Sequence, residues 1–180
     1  MTGRSLVVDA SVARRAGNVM TLGALSLLCR DVLVEIERHE HRVVISDDIR
    51  REWKAQASKY SWLWITNMIS RNRHAAVDPS VDEELRKVID ALPEDDRQAA
   101  RKDLLLTEAA LDSDYRVISL DRAMREILHR VAQDLPKIGA IHWVDPERDQ
   151  CLPWIIAGGP DDSDLQISKA VRRTQPLGPS

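Results

Sequence analysis

The sequence predicts an α/β fold built on a parallel sheet of about five strands, and three observations predict it. Short, continuous, largely β-branched apolar runs recur along the chain, as strands buried on both faces require. Segments of helical periodicity separate them, the alternation of a parallel sheet with crossover helices. Two of the runs end in an aspartate, Asp9 in "LVVDAS" and Asp121 in "VISLD". Carboxyl ends of parallel strands are where ligands of such folds bind.

The predicted strands are "SLVVD" at 5–9, "RVVIS" at 42–46, a weaker "HAAVD" at 74–78, "YRVISL" at 115–120 and "AIHWV" at 140–144. After the first strand, 21–37 sets Leu22, Leu25, Cys29, Val32, Leu33 and Ile36 on one helical face. After the second, 48–70 reads as helix through Ile49, Trp53 and Ala57 into "WLWITNMI". Two helices follow the third strand. One spans 80–91, with Val81, Leu85, Val88 and Ile89 at helical spacing. The other spans 93–111 and opens on Pro and acids, a helix N-terminal signature. A further short helix spans 122–133. From about residue 160 the chain turns to Gly, Pro, Ser and charge, so the expected organisation is one domain over 1–159 and a flexible tail over 160–180.

Composition narrows the function classes. With 180 residues, 43% hydrophobic and 31% charged, the chain has the balance of a single globular domain. A net charge of −3 argues against a generally basic nucleic-acid binder, while allowing a local basic patch beside an acidic site. Phe is absent, so core volume comes from aliphatic residues and the five Trp. Two cysteines make no disulfide framework, and Cys29 on an apolar face reads as a buried thiol. The apolar stretches are too short to span a bilayer and no leader pattern is visible, so the expected place is the cytoplasm, with no membrane partner.

Four acids can meet at one edge of the predicted sheet. Asp9 and Asp121 end strands, Glu52 lies in the first turns after the second strand, and Asp103 lies on the helix before the fourth. Gathered carboxylates repel one another and call for cations. An all-oxygen donor set suits Mg²⁺ or Mn²⁺ rather than Zn²⁺. Taken singly, each acid has a plainer reading: a strand-end Asp is more often a helix cap, Glu52 suits a solvated helix face, and Asp103, beside Arg101 and Lys102, suits a surface ion pair. The ordered set carries the weight.

That order, "VVDAS", then "VVIS" leading to Glu52, then "KDLLLTEAAL", then "RVISLD", resembles the PIN-domain nucleases, which include the VapC-type toxins of bacterial toxin–antitoxin pairs. The resemblance covers about residues 5–145, with "IHWVDP" fitting the closing strand. It implies a three-layer α/β/α fold and Mg²⁺- or Mn²⁺-dependent cleavage of RNA. Asp9, Glu52, Asp103 and Asp121 would be the catalytic and metal-holding quartet. Ser11 and Ser119 match the small hydroxyl residues that accompany the first and last acids. It further implies a cognate antitoxin and a homodimer. The chain departs from the small toxins in its length over 53–100, in the Trp and Arg of that region, and in its tail.

Other residues enter as supporting candidates. Arg14 and Arg15, just after Asp9, are the best-placed cations for substrate phosphate. Trp62, Trp64, Arg71 and Arg73 read either as a substrate-contacting lobe or as core aromatics beside a solvated basic face, while Trp53 reads as core. Glu108 is a candidate partner of Asp103 around the site. His39 and His41 in "RHEHR" look like ligands but lack a third, and read as an exposed helix end. Asp47 and Asp48 read as caps, and Asp112 and Asp114 as a turn. Alternative functions are a catalytically inactive PIN-like interaction module and a structure-specific DNA nuclease. Aspartyl-phosphate chemistry fits poorly, because "DASVA" lacks the second acid.

Overall fold

A computed structural model describes residues 3–17 and 23–169. Five strands, β1 (Ser5–Val8), β2 (Arg42–Ile45), β3 (His74–Ala76), β4 (Arg116–Ile118) and β5 (His142–Val144), form one sheet in the order β3-β2-β1-β4-β5. Every pairing is parallel. The fold is therefore α/β with helices on both faces, in three layers. All five strands appear where apolar runs predict them, the weak third one included.

On one face pack α1 (Ala10–Arg15), α2 (Ala24–Arg38), α4 (Lys59–Ser70) and α9 (Cys151–Ile156). On the other pack α5 (Glu83–Asp90), α6 (Glu94–Leu111), α7 (Arg122–Val131) and α8 (Pro136–Gly139). Between them α3 (Asp47–Gln56) touches both α1 and α6. Leu6, Val7 and Val8 are fully buried between the layers, as a central strand demands. Truncating Leu6 to Ala would cost about 2–5 kcal/mol. Small residues of α6, Ala100, Ala109 and Ala110, are also fully buried and let that helix lie close on β1 and β4. No helix among the described residues is long and apolar enough to cross a membrane.

Four local differences from the sequence reading have physical causes. The stretch expected as one helix over 48–70 breaks at Ala57, where extended backbone leads into Ser58, whose hydroxyl caps α4. Ser46, not Asp47 or Asp48, caps α3, and the two acids sit in its first turn, where they suit the dipole. His41 is not an exposed helix end. It is buried, accepting from Arg4 N at Nδ1 (3.0 Å) and meeting Ile155 O through Nε2 (2.9 Å). His39 alone is at the surface, beside Glu35.

The fourth difference concerns the expected tail. Residues 160–169 run along β5: Trp143 N donates to Leu165 O and Ile167 N to Ile141 O. Leu165 and Ile167 are buried there. The domain thus extends at least to 169, because two apolar side chains in the polar segment cover the sheet edge. The tail beyond it, and the expected helix start at 21 with Leu22, lie outside the described residues.

Candidate active site at the carboxyl edge of the sheet

Asp9 follows β1 directly. Its backbone N still donates to Ile118 O of β4 (3.0 Å), so the residue is fixed between the two central strands. The residue is only 5% exposed. Oδ1 accepts from Ser11 N (3.2 Å), which caps α1, and Oδ2 accepts from the hydroxyls of Ser11 and Ser119, the latter at 2.6 Å. Both serine hydroxyls thus hold the first acid, although the resemblance pairs Ser119 with the last. Ser119 Oγ also accepts from Asp121 N (2.9 Å), which ties the two strand-end acids through one hydroxyl.

Asp121 caps α7, with Oδ1 accepting from Met124 N (2.8 Å). The plain reading of a strand-end aspartate as a cap is therefore true of Asp9 and Asp121 alike. It does not remove them from the edge, since a cap uses only part of a carboxylate's acceptor capacity. Glu52 reaches the same region from α3 and accepts from Gln56 (3.2 Å). Asp103 reaches it from α6.

The electrostatics show how near these groups are. Asp103 is pushed up to about 7, first by burial, then by the charges of Asp9 and Asp121, a hydrogen bond with Asp121, and the charge of Glu52. Glu52 is itself raised, by burial and by the charge of Asp9. Four acids separated widely in sequence thus share one field. Among the described residues no Lys, Arg or His forms a salt bridge with any of them. Among the described residues, also, no three His, Cys, Asp or Glu side chains already stand together closely enough to hold an ion. The donors have the chemistry of a hard-cation site, and side-chain adjustment would be needed to close it.

Arg14 and Arg15 end α1 and are exposed. With Ser11, Asp121 and Arg122 they line a cavity of about 430 Å³, which sets them beside Asp121. Arg71 and Arg73 do not. They precede β3, and the entry of a parallel strand lies at the opposite edge from its exit. There Arg71 pairs with Glu37 (2.9 Å), and Arg73 donates to Glu37 O (2.7 Å) and Glu40 (3.3 Å). The substrate-contacting lobe loses its aromatic part too. Trp64 is buried and stacks on Trp53 at 6.0 Å, Trp53 Nε1 donates to Val8 O (3.0 Å), and Trp62 is half-buried against the core.

Glu108 is also turned away. It stands five residues beyond Asp103, a rotation of about 140° around a helix. It is 2% exposed and accepts from Arg86 Nε (3.2 Å) and Asp82 N (3.1 Å), facing α5 instead. Asp112 and Asp114 do serve the turn into β4, accepting from Ser80 N and Ser5 N (both 2.7 Å).

A second group at this edge was not singled out from the sequence. Asp145 ends β5 and is almost fully buried. It accepts from Arg122 Nε (2.6 Å), which also pairs with Glu147, and its own N donates to Asp149 (2.7 Å). Asp149 pairs with Arg125 at 3.0 Å. The signal was present, because Asp145 ends the fifth apolar run as Asp9 and Asp121 end theirs. No family model matches the chain, and no curated protein matches it.

Proposed function

We propose that the chain is a divalent-metal-dependent endoribonuclease of PIN-domain type, with Asp9, Glu52, Asp103 and Asp121 as its acidic quartet. The observation that carries the reading is the mutual field of these four acids, with no cation of the described chain paired to any of them. Such a cluster is unfavourable by itself, and a bound Mg²⁺ or Mn²⁺ would offset the repulsion. When bound, such an ion supplies charge stabilisation at phosphorus and activation of water. The all-oxygen donors fit that class of ion.

The chain's own residues have distinct parts in this reading. Ser11 and Ser119 fix the Asp9 carboxylate, so its geometry is set before substrate arrives. Asp103, poised near neutrality, releases its proton when positive charge enters the cluster and takes one up when it leaves. Arg14 and Arg15 contact backbone phosphate, which positions RNA without reading its sequence. Membership of a toxin–antitoxin pair, with a cognate antitoxin and a homodimer, rests on the resemblance alone.

A second reading, the catalytically inactive interaction module, is favoured by the absence of three ready-gathered ligands among the described residues. RNA cleavage in Mg²⁺ and in Mn²⁺, wild type against Asp9→Asn, separates the two. The nuclease reading expects metal-dependent cleavage that falls by about 10³-fold or more in the variant. Metal-free RNA binding is expected to persist or tighten, since one negative charge fewer faces the phosphates. Cleavage by Asp9→Asn at the wild-type rate would make the quartet structural.

A further inference from the structure

β5 pairs with β4 on one side only, and residues 160–169 seal its other edge. His142 and Gln166 form an antiparallel bridge, flanked by the Trp143 N to Leu165 O and Ile167 N to Ile141 O hydrogen bonds. The segment also supplies Pro160, Asp162 and Leu165 to the wall of a cavity of about 790 Å³, to which Ser119 and Asp121 belong as well. It thus helps to enclose a space that adjoins the acid cluster.

Two histidines hold the segment, and they respond differently to a proton. His129 Nδ1 meets Ile167 O at 2.7 Å, a contact that an imidazolium makes as well as a neutral ring does. His142 works the other way: its Nε2 accepts from Asp162 N at 3.0 Å. A backbone N–H only donates, so this Nε2 carries no proton and the ring is neutral, with its hydrogen on Nδ1. Nδ1 is buried without a partner among the described residues. A second proton would set Nε2–H against Asp162 N–H and break the contact. The residue is 2% exposed, and its ring stacks on Trp154 of α9 at 6.5 Å. Burial, and then the charge of Arg116, its register partner on β4, hold the ring below the usual histidine value. Asp161 and Asp162 act against that lowering. Asp161 is itself engaged by Arg116 (2.7 Å), which also donates to Gly159 O (2.8 Å). Lifting the segment would admit water to the ring, so the open form takes up a proton more readily than the closed one. The contact is therefore intact above the ordinary histidine value of about 6.5 and is lost as pH falls below it.

We propose that residues 160–169 are an acid-released latch over the free edge of β5, with the neutral ring of His142 as its catch. Release widens the cavity beside Asp121 and uncovers a strand edge, which invites pairing with a second chain. The latch does not depend on what the acids bind.

The test is amide hydrogen exchange of the full chain in EDTA at pH 7.5 and pH 5, corrected for the intrinsic rate at each pH. The amides of Asp162, Leu165 and Ile167 are expected to lose protection by about tenfold or more at pH 5, relative to the amides of Val7 and Val8 in β1. Comparison within one molecule cancels effects on the whole domain, such as those of the buried His41 and of Asp103. His142→Gln offers an amide oxygen to Asp162 N and does not titrate, so it should keep the segment equally protected at both pH values. Protection of the segment unchanged at pH 5, a loss shared equally with β1, or a pH response that persists in His142→Gln would each overturn the latch. If that variant does not fold, the ring nitrogen resonances of His142 in the wild type decide. Nε2 is expected to be unprotonated at pH 7.5, with a protonation midpoint that coincides with the loss of protection. A protonated Nε2 at pH 7.5, or a midpoint apart from that loss, would remove His142 as the catch.

Discussion

Asp145, Glu147 and Asp149 follow β5, and arginines of α7 meet them: Arg122 takes the first two and Arg125 the third. Asp9, Glu52, Asp103 and Asp121 stand at the same edge, and among the described residues serine hydroxyls, a glutamine amide, backbone N–H groups and one another are their partners. Residue type and sheet edge are the same. What differs is whether the chain brings its own positive charge. A paired carboxylate is part of the scaffold, and its removal exposes a buried cation to an apolar surrounding. An unpaired cluster stores repulsion that something outside the chain can relieve. The difference separates structural acids from candidate functional ones without reference to any other protein.

Breaking the paired group should have the larger effect on folding. Asp149→Ala leaves Arg125, 7% exposed at its side chain, without its counter-charge. Stability is expected to fall by about 3 kcal/mol in urea denaturation. A loss below about 0.5 kcal/mol would show that Arg125 finds another partner, and the contrast between the groups would dissolve.

Relieving the unpaired group should act in the opposite direction. Mn²⁺ at a hundredfold excess over its Kd is expected to stabilise the wild type by about 2.7 kcal/mol, or roughly 5–10 °C in Tm. Asp103→Asn or Asp121→Asn should shrink that shift. A melting curve indifferent to Mn²⁺, together with no cleavage in any metal, favours the interaction-module reading.

The pH dependence follows from Asp103. Its folded value is raised from 3.8 to about 7, so between those limits the folded chain holds a proton that the unfolded chain has lost. Stability in the absence of metal therefore falls as pH rises from about 4 to 7, and the loss is complete above that window. Asp103→Asn should flatten this slope and stabilise the metal-free protein at pH 8 by on the order of 1 kcal/mol, after allowing for solvent screening. A slope unchanged in Asp103→Asn would locate the extra proton elsewhere.

The smallest expected effects concern the arginines. Arg14→Ala and Arg15→Ala should each lower the salt-dependence exponent of RNA binding by about 0.7, the value for one phosphate contact on a single strand. Arg71→Ala, at the opposite edge, should leave that exponent unchanged. Filter binding across a salt series measures all three, and an equal effect from Arg71 would place RNA on a different surface.

How far the sequence discloses this arrangement depends on the kind of contact. The strands are legible because each is a short run buried on both faces. Asp9 and Asp121 are legible because they end such runs. Glu52 and Asp103 come from helices, and only their order in the chain marks them. Glu108 misleads because five residues look like one turn beyond Asp103 but rotate the side chain to the far face. Arg71 and Arg73 mislead because nearness to other candidates in sequence hides which end of β3 they occupy. His41 lies in a polar-looking string, and its burial depends on α9, more than a hundred residues away. The partner of Arg125, Asp149, lies beyond β5, 24 residues on.

The central position of β1 also governs the order in which the molecule can be completed. Synthesis delivers β1 and β2 early, while β4, the other neighbour of β1, emerges only at residues 116–118. Until then one edge of β1 has no strand beside it, and Asp9 lacks Ser119. A nascent chain exposing an unpaired strand edge is prone to association with other chains. It also lacks Asp103 and Asp121 until α6 and the exit of β4 have been made. Any activity that needs all four acids is therefore withheld until the chain through Asp121 has left the ribosome.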